Sequence, residues 1–201
     1  IKTFLAQSSF RKWIEQGEWT KISKTIRKEV AENKRVLNDT NFDLLLYTEN
    51  QKSGNKKYNG ILDAYALLAT YDKKKTLTVK AQIDQGYAAA KLGGYKRAKG
   101  YYRRALKKTP DKDVDLVLQL VGELKRLYER SKDYASLVVI YKRAYSVLKK
   151  SPRPKNESRT YAYLIGYHQS FHLKQNDKAR IWLMRSDGGG STLQELDAAF
   201  W

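Results

Sequence analysis

The sequence predicts an all-α fold, a solenoid of about five antiparallel helix hairpins followed by a short C-terminal helix. Three observations predict it. Only 3 prolines and 12 glycines interrupt the 201 residues, and they cluster, which leaves long stretches of good helix formers. Within those stretches apolar residues recur at three- and four-residue spacing, the period of a helix with one face to bury. The same contact pattern returns at Ile22, Gly60, Ala98, Leu137 and Ala179, 38 to 42 residues apart. Recurrence is what stacked hairpins require, because a single hairpin cannot bury its own face.

In chain order, the hairpin near 3–36 is carried by EQGEWTKISKTI, with Gly17 and Trp19 in the turn and Ile22 and Ile26 after it. Segments 41–51 and 56–72 pair as a second hairpin, near 41–73, with Gly60 and Ala64 in register. The third, 79–110, is the most explicit. Its helices meet at Gly93-Gly94; Ile83, Gly86, Tyr87 and Ala90 form one stripe and Ala98, Tyr102, Ala105 and Leu106 the other. Small residues at Gly86, Ala98 and Ala105 let the two axes approach, and Pro110 stops the second helix. The fourth, 114–150, repeats the pattern in KDYASLVVIYKRAY, where Tyr134, Leu137, Tyr141 and Ala144 stand for Tyr95, Ala98, Tyr102 and Ala105. The fifth, 159–186, joins a helix from about Arg159 to Leu173 to QNDKARIWL, with Ala179 and Leu183 in the corresponding places. No connection reads as an interdomain linker, so residues 1–186 are expected to form one repeat domain. Residues 187–201 read as a Gly-rich joint and an amphipathic helix: Thr192 and Glu195 have capping-box spacing, and Leu193, Leu196 and Phe200 share a face.

Gly86, Gly93, Tyr95, Ala98, Tyr102, Ala105, Leu106 and Pro110 fall in register with a known signature, and the stretch from Val79 to Pro110 resembles the tetratricopeptide repeat. The usual unit of that family is about 34 residues, so helices or connections here are expected to be somewhat longer. The resemblance implies a right-handed superhelix in which the first helix of each hairpin lines a concave groove and the second forms the outer face. On that basis Lys80, Ile83, Tyr87 and Lys91 would line the groove, followed by Gln119, Gly122, Arg126 and Arg130, then Tyr161, Leu164, His168 and His172. The Lys and Asn set with which some family members clamp C-terminal carboxylates is not matched, since Gln7, Arg11 and Leu46 occupy its places.

Charge decides the expected partner. Lys and Arg number 40 against 21 Asp and Glu, a net +19, so the molecule attracts anions. The leading expectation is a scaffold or adaptor whose basic, tyrosine-lined groove (Lys80, Tyr87, Lys91, Arg126, Arg130, Tyr161, His168) holds an acidic peptide or protein. One alternative is electrostatic binding of nucleic acid or another polyanion through the outer helix face with Lys96, Lys99, Arg103, Arg104 and Lys107. Another is self-assembly through residues 191–201. An enzyme is not expected, nor a cofactor: there is no cysteine, no Ser-His-Asp order and no Walker lysine after Gly188 to Gly190. His168 and His172 stand four apart, but no third ligand at metal-site spacing accompanies them. No apolar run approaches the roughly 20 residues of a membrane span. Residue 1 is Ile rather than Met, which suggests a processed or excised piece and favours an exported or periplasmic setting over a cytoplasmic one.

Overall fold

Each apolar stripe gives a helix one face to bury, and the short turns between stripes leave a helix no partner nearer than its neighbour in sequence. A computed structural model describes residues 10–32 and 37–187, and every regular element among them is helical. The helices are α1 (Arg11–Glu15), α2 (Trp19–Ala31), α3 (Asp39–Gln51), α4 (Gly54–Tyr71), α5 (Val79–Lys91), α6 (Tyr95–Lys108), α7 (Val114–Arg130), α8 (Tyr134–Lys150), α9 (Lys155–Phe171) and α10 (Asn176–Ser186). A 3₁₀ turn, Lys75–Leu77, precedes α5. None of the described helices is long and apolar enough to cross a membrane. The tail segment 191–201 lies outside the described residues.

The turns share one device. Gly17, Gly93, Lys132 and Lys174 all have positive φ, between 52° and 77°, and each sits two residues before the helix that follows it, at Trp19, Tyr95, Tyr134 and Asn176. Glycine adopts that conformation freely, whereas lysine does so at a cost of about 1 kcal/mol or more. The turn geometry therefore repeats even where its glycine does not. Side-chain caps reinforce helix starts among the described residues: Asn38 accepts from the Asn41 amide, Thr78 from Ala81 and Asp133 from Ser136.

The chain divides into two compact units, Ile1–Ala105 and Leu106–Trp201, with the boundary inside α6. The first is built on Ile22, Ile26 and Val30 of α2, Leu44 and Leu45 of α3, and Ile61, Ala64 and Leu68 of α4, all buried. The core of the second includes Leu120 and Leu124 of α7, Leu137 and Tyr141 of α8, and Ile165 of α9. All five recurring contact positions are buried. Close approach recurs as well. A Cβ at Gly86 would lie 2.9 Å from the Tyr102 ring, and one at Gly166 would lie 2.6 Å from Leu183, so glycine in the first helix admits a large side chain from the second. Tyr102 and Leu183 each follow their hairpin's contact residue, Ala98 or Ala179, by four.

Candidate functional site

In the first unit, α5 carries Lys80, Tyr87 and Lys91. Tyr87 is 44% exposed, the Lys91 ammonium lies 5.3 Å from its ring centre, and Tyr58 of α4 meets it edge-on at 5.8 Å. The result is an exposed aromatic face with a cation over it, a favourable pairing in itself. On α6, Lys96 and Arg103 are exposed and Lys99 is half-buried. Arg104 is exposed yet engaged: it donates to the Gln82 Oε1 at 2.6 Å and lies over the Tyr101 ring at 4.8 Å. In the second unit, Lys107 is exposed on the last turn of the same helix. No acidic residue interrupts α6.

A recess of about 610 Å³ in the first unit is walled by Trp19, Lys21, Lys24, Lys52 and Lys56. Lys52 of that wall also holds a buried carboxylate. Glu49, 1% exposed, accepts from Arg27 at 3.1 Å and pairs with Lys52 at 2.7 Å. Arg27 also donates to the Gly60 carbonyl at 3.1 Å, and Lys52 to the Ser23 hydroxyl at 2.8 Å. Any side chain at Gly60 would overlap the Glu49 carboxylate, so the glycine is what lets the charge sit between α2, α3 and α4.

In the second unit, Arg126 and Arg130 of α7 are exposed, and Arg126 pairs with Glu123 one turn back at 3.1 Å. A cavity of about 270 Å³ opens between α7 and α9, over Tyr141 of α8. Gly122 and Lys125 contribute from α7, Tyr161 and Leu164 from α9. Tyr161 is half-buried with its ring 5.7 Å from that of Tyr141. Burial, followed by the charge of Glu129, holds the Tyr141 phenol above its ordinary range, and burial does the same to Tyr161.

His168 is corrected by the structure. It is 7% exposed, enclosed by the rings of Tyr134, Tyr141, Tyr167 and His172, and so offers a partner little surface. Its Nδ1 has no hydrogen-bond partner among the described residues. Desolvation, then the neighbouring His172 and Lys125, push its pKa below the ordinary 6.5. Among the described residues no group of three His, Cys, Asp or Glu side chains is placed to hold a metal.

The expected Tyr87 and Lys91 lie beside Tyr58, and the expected Tyr161 lines the cavity with Lys125 and Tyr141, three neighbours that the residue pattern does not point to as site residues. Lys125 adjoins the projected Arg126, and about 100° of helix rotation separates the two. Tyr141 carried only a packing signal, and no pattern of residue types marks a hydroxyl left unpaired.

No family model matches the chain, and none of the curated proteins matches it. Among solved structures it is similar to the crystal structure of MamA, at 14% identity over 96% of this chain and 98% of that one, with a TM-score of 0.49. It is also similar to BtubC (BKLC) from P. vanneervenii, at 13% identity over 89% of this chain and 77% of that one, with a TM-score of 0.48. Both likenesses are remote, and the all-α architecture stands on the chain's own helices and turns.

Proposed function

We propose that this chain is a helical-repeat scaffold of the tetratricopeptide type that holds an acidic peptide or protein segment. The observation that carries the reading is on α7, which puts Lys125 in the wall of a tyrosine-lined cavity and leaves Arg126 and Arg130 exposed. Guanidinium forks bind carboxylates in pairs of hydrogen bonds, and tyrosines supply contact area at small entropic cost. The net charge of +19 supports the same choice by drawing acidic chains in. In the first unit Tyr87 and Lys91 form a basic and aromatic pair with the same chemistry, about two turns along α5 from the exposed Lys80. The double substitution R126E/R130E tests it. Capture of a labelled acidic peptide, followed by fluorescence anisotropy at low salt, should weaken at least about tenfold with helicity unchanged. Undiminished capture would remove α7 from the site.

A second reading has its own observation, the absence of any acidic residue from α6 beside Lys96, Lys99, Arg103 and Lys107. Binding of duplex or single-stranded nucleic acid through that face would fall steeply with salt. Absence of such binding at low salt, in the same titration, disposes of it.

A further inference from the structure

The cavity of the second unit contains two features that packing within the unit leaves unexplained. Gly122 lies mid-way along the 17-residue α7, where glycine weakens a helix relative to alanine, yet a Cβ built there meets no atom within 4 Å. Gly86 and Gly166, by contrast, lie directly under Tyr102 and Leu183. The second feature is Tyr141. It is 1% exposed and lines the cavity, and its hydroxyl has no hydrogen-bond partner among the described residues. A buried hydroxyl without a partner destabilises the fold. One guest in the cavity would relieve both faults, filling the space that Gly122 leaves and pairing the hydroxyl.

The walls specify that guest. Val121 and Leu164 are apolar and suit methylene groups. Tyr141 can donate one hydrogen bond, and Lys125, half-buried and loosely paired with Glu129 at 3.8 Å, brings a cation to the lining. Two acidic groups act there and each has a cation: Glu157 is held by Arg153 at 3.2 Å, and Glu129, whose charge reaches Tyr141, by Lys125 at 3.8 Å, which blunts their repulsion of an anion. We propose that the cavity receives a glutamate side chain from the acidic partner, its methylenes against Val121 and Leu164 and its carboxylate accepting from the Tyr141 hydroxyl beside Lys125. This rests on the acidic-partner reading above and names the residue type that the partner inserts.

Fluorescein-labelled hexaglutamate and hexaaspartate, titrated into the full chain at low salt, test it. Hexaglutamate should bind more tightly, because its longer stem reaches the hydroxyl. Tyr141→Phe should weaken hexaglutamate about tenfold while leaving hexaaspartate unmoved and the thermal midpoint equal or slightly higher. Gly122→Leu, which fills the cavity from a good helix former, should weaken hexaglutamate at least as much. Equal binding of hexaglutamate to wild type and both variants overturns the cavity assignment; if R126E/R130E still abolishes capture, the acidic-partner reading stands without it. Failure of wild type to bind either peptide overturns both. A concentration-dependent dimer that Gly122→Leu dissolves would assign the cavity to a second copy of the chain and overturn the glutamate.

Discussion

The two units treat their buried polar groups differently. In the first, Glu49 is held by Arg27 and Lys52, the Tyr65 hydroxyl donates to Asp84 at 2.6 Å, and Gln82 and Gln85 both donate to the Thr76 carbonyl. Two buried carboxylate oxygens of that unit, Glu18 Oε2 and Glu49 Oε2, make no hydrogen bond but are ion-paired with Lys21 and Lys52, whereas in the second unit the Tyr141 hydroxyl, His168 Nδ1 and Gln169 Oε1 are buried with neither a hydrogen bond nor an ion pair among the described residues. Polar groups that are matched lock one packing in place, whereas unmatched ones are a standing cost that a ligand can relieve. The difference separates a unit whose polar interior fixes structure from one with hydrogen-bonding capacity left over beside a cavity.

Three measurements can break or sharpen this contrast. The largest effect is expected at Glu49. Glu49→Ala leaves two cations facing each other with no anion between them, and should lower the free energy of unfolding in urea by about 3 kcal/mol. A loss well under 1 kcal/mol would mean that the cluster is incidental to the first unit.

Next comes a matched pair of hydroxyl deletions. Tyr65→Phe should cost about 1.5 kcal/mol, because it removes a hydrogen bond to a carboxylate. Tyr141→Phe deletes a hydroxyl with nothing to lose and should leave stability equal or slightly higher. Equal losses in chemical denaturation would erase the distinction between the units.

The smallest effect concerns pH. His168 has a folded pKa below 6.5 because burial disfavours its charged form. Well above pH 6.5 the imidazole is neutral in both folded and unfolded chains and contributes no pH dependence. As pH falls through 6.5 the unfolded chain takes up a proton that the folded chain refuses, so stability declines until the folded pKa is passed. Urea midpoints should therefore drop between pH 7.5 and 5.5 in wild type and drop less in His168→Phe. Parallel slopes would show that His168 is not the group responsible.

The helices were legible because their determinants are local. Period and turn residues placed Ile22, Gly60, Ala98, Leu137 and Ala179, and all five are buried. The turn signal faded in the second unit, where Lys132 and Lys174 hold the conformation that Gly17 and Gly93 hold in the first. The site was less legible. His168 and His172 stand four residues apart, yet His168 is buried within α9 whereas His172, the residue after the helix's last, is exposed. The Arg27, Glu49 and Lys52 cluster draws on two helices and the turn after the second, so no spacing along a single helix announces it. Gly60 has the spacing of a packing position, and its service to the Glu49 carboxylate arises only where α3 and α4 pack together.

The repeated left-handed turn has a kinetic consequence. Within each unit the packed helix pairs are sequence neighbours, such as α3 with α4 and α9 with α10. Closing so short a connection costs little chain entropy, and the contacts it brings are made at once. Folding can therefore start in whichever hairpin closes first and spread to the next. A lysine in place of the turn glycine slows that first closure without redirecting it, since the geometry it must reach is the same.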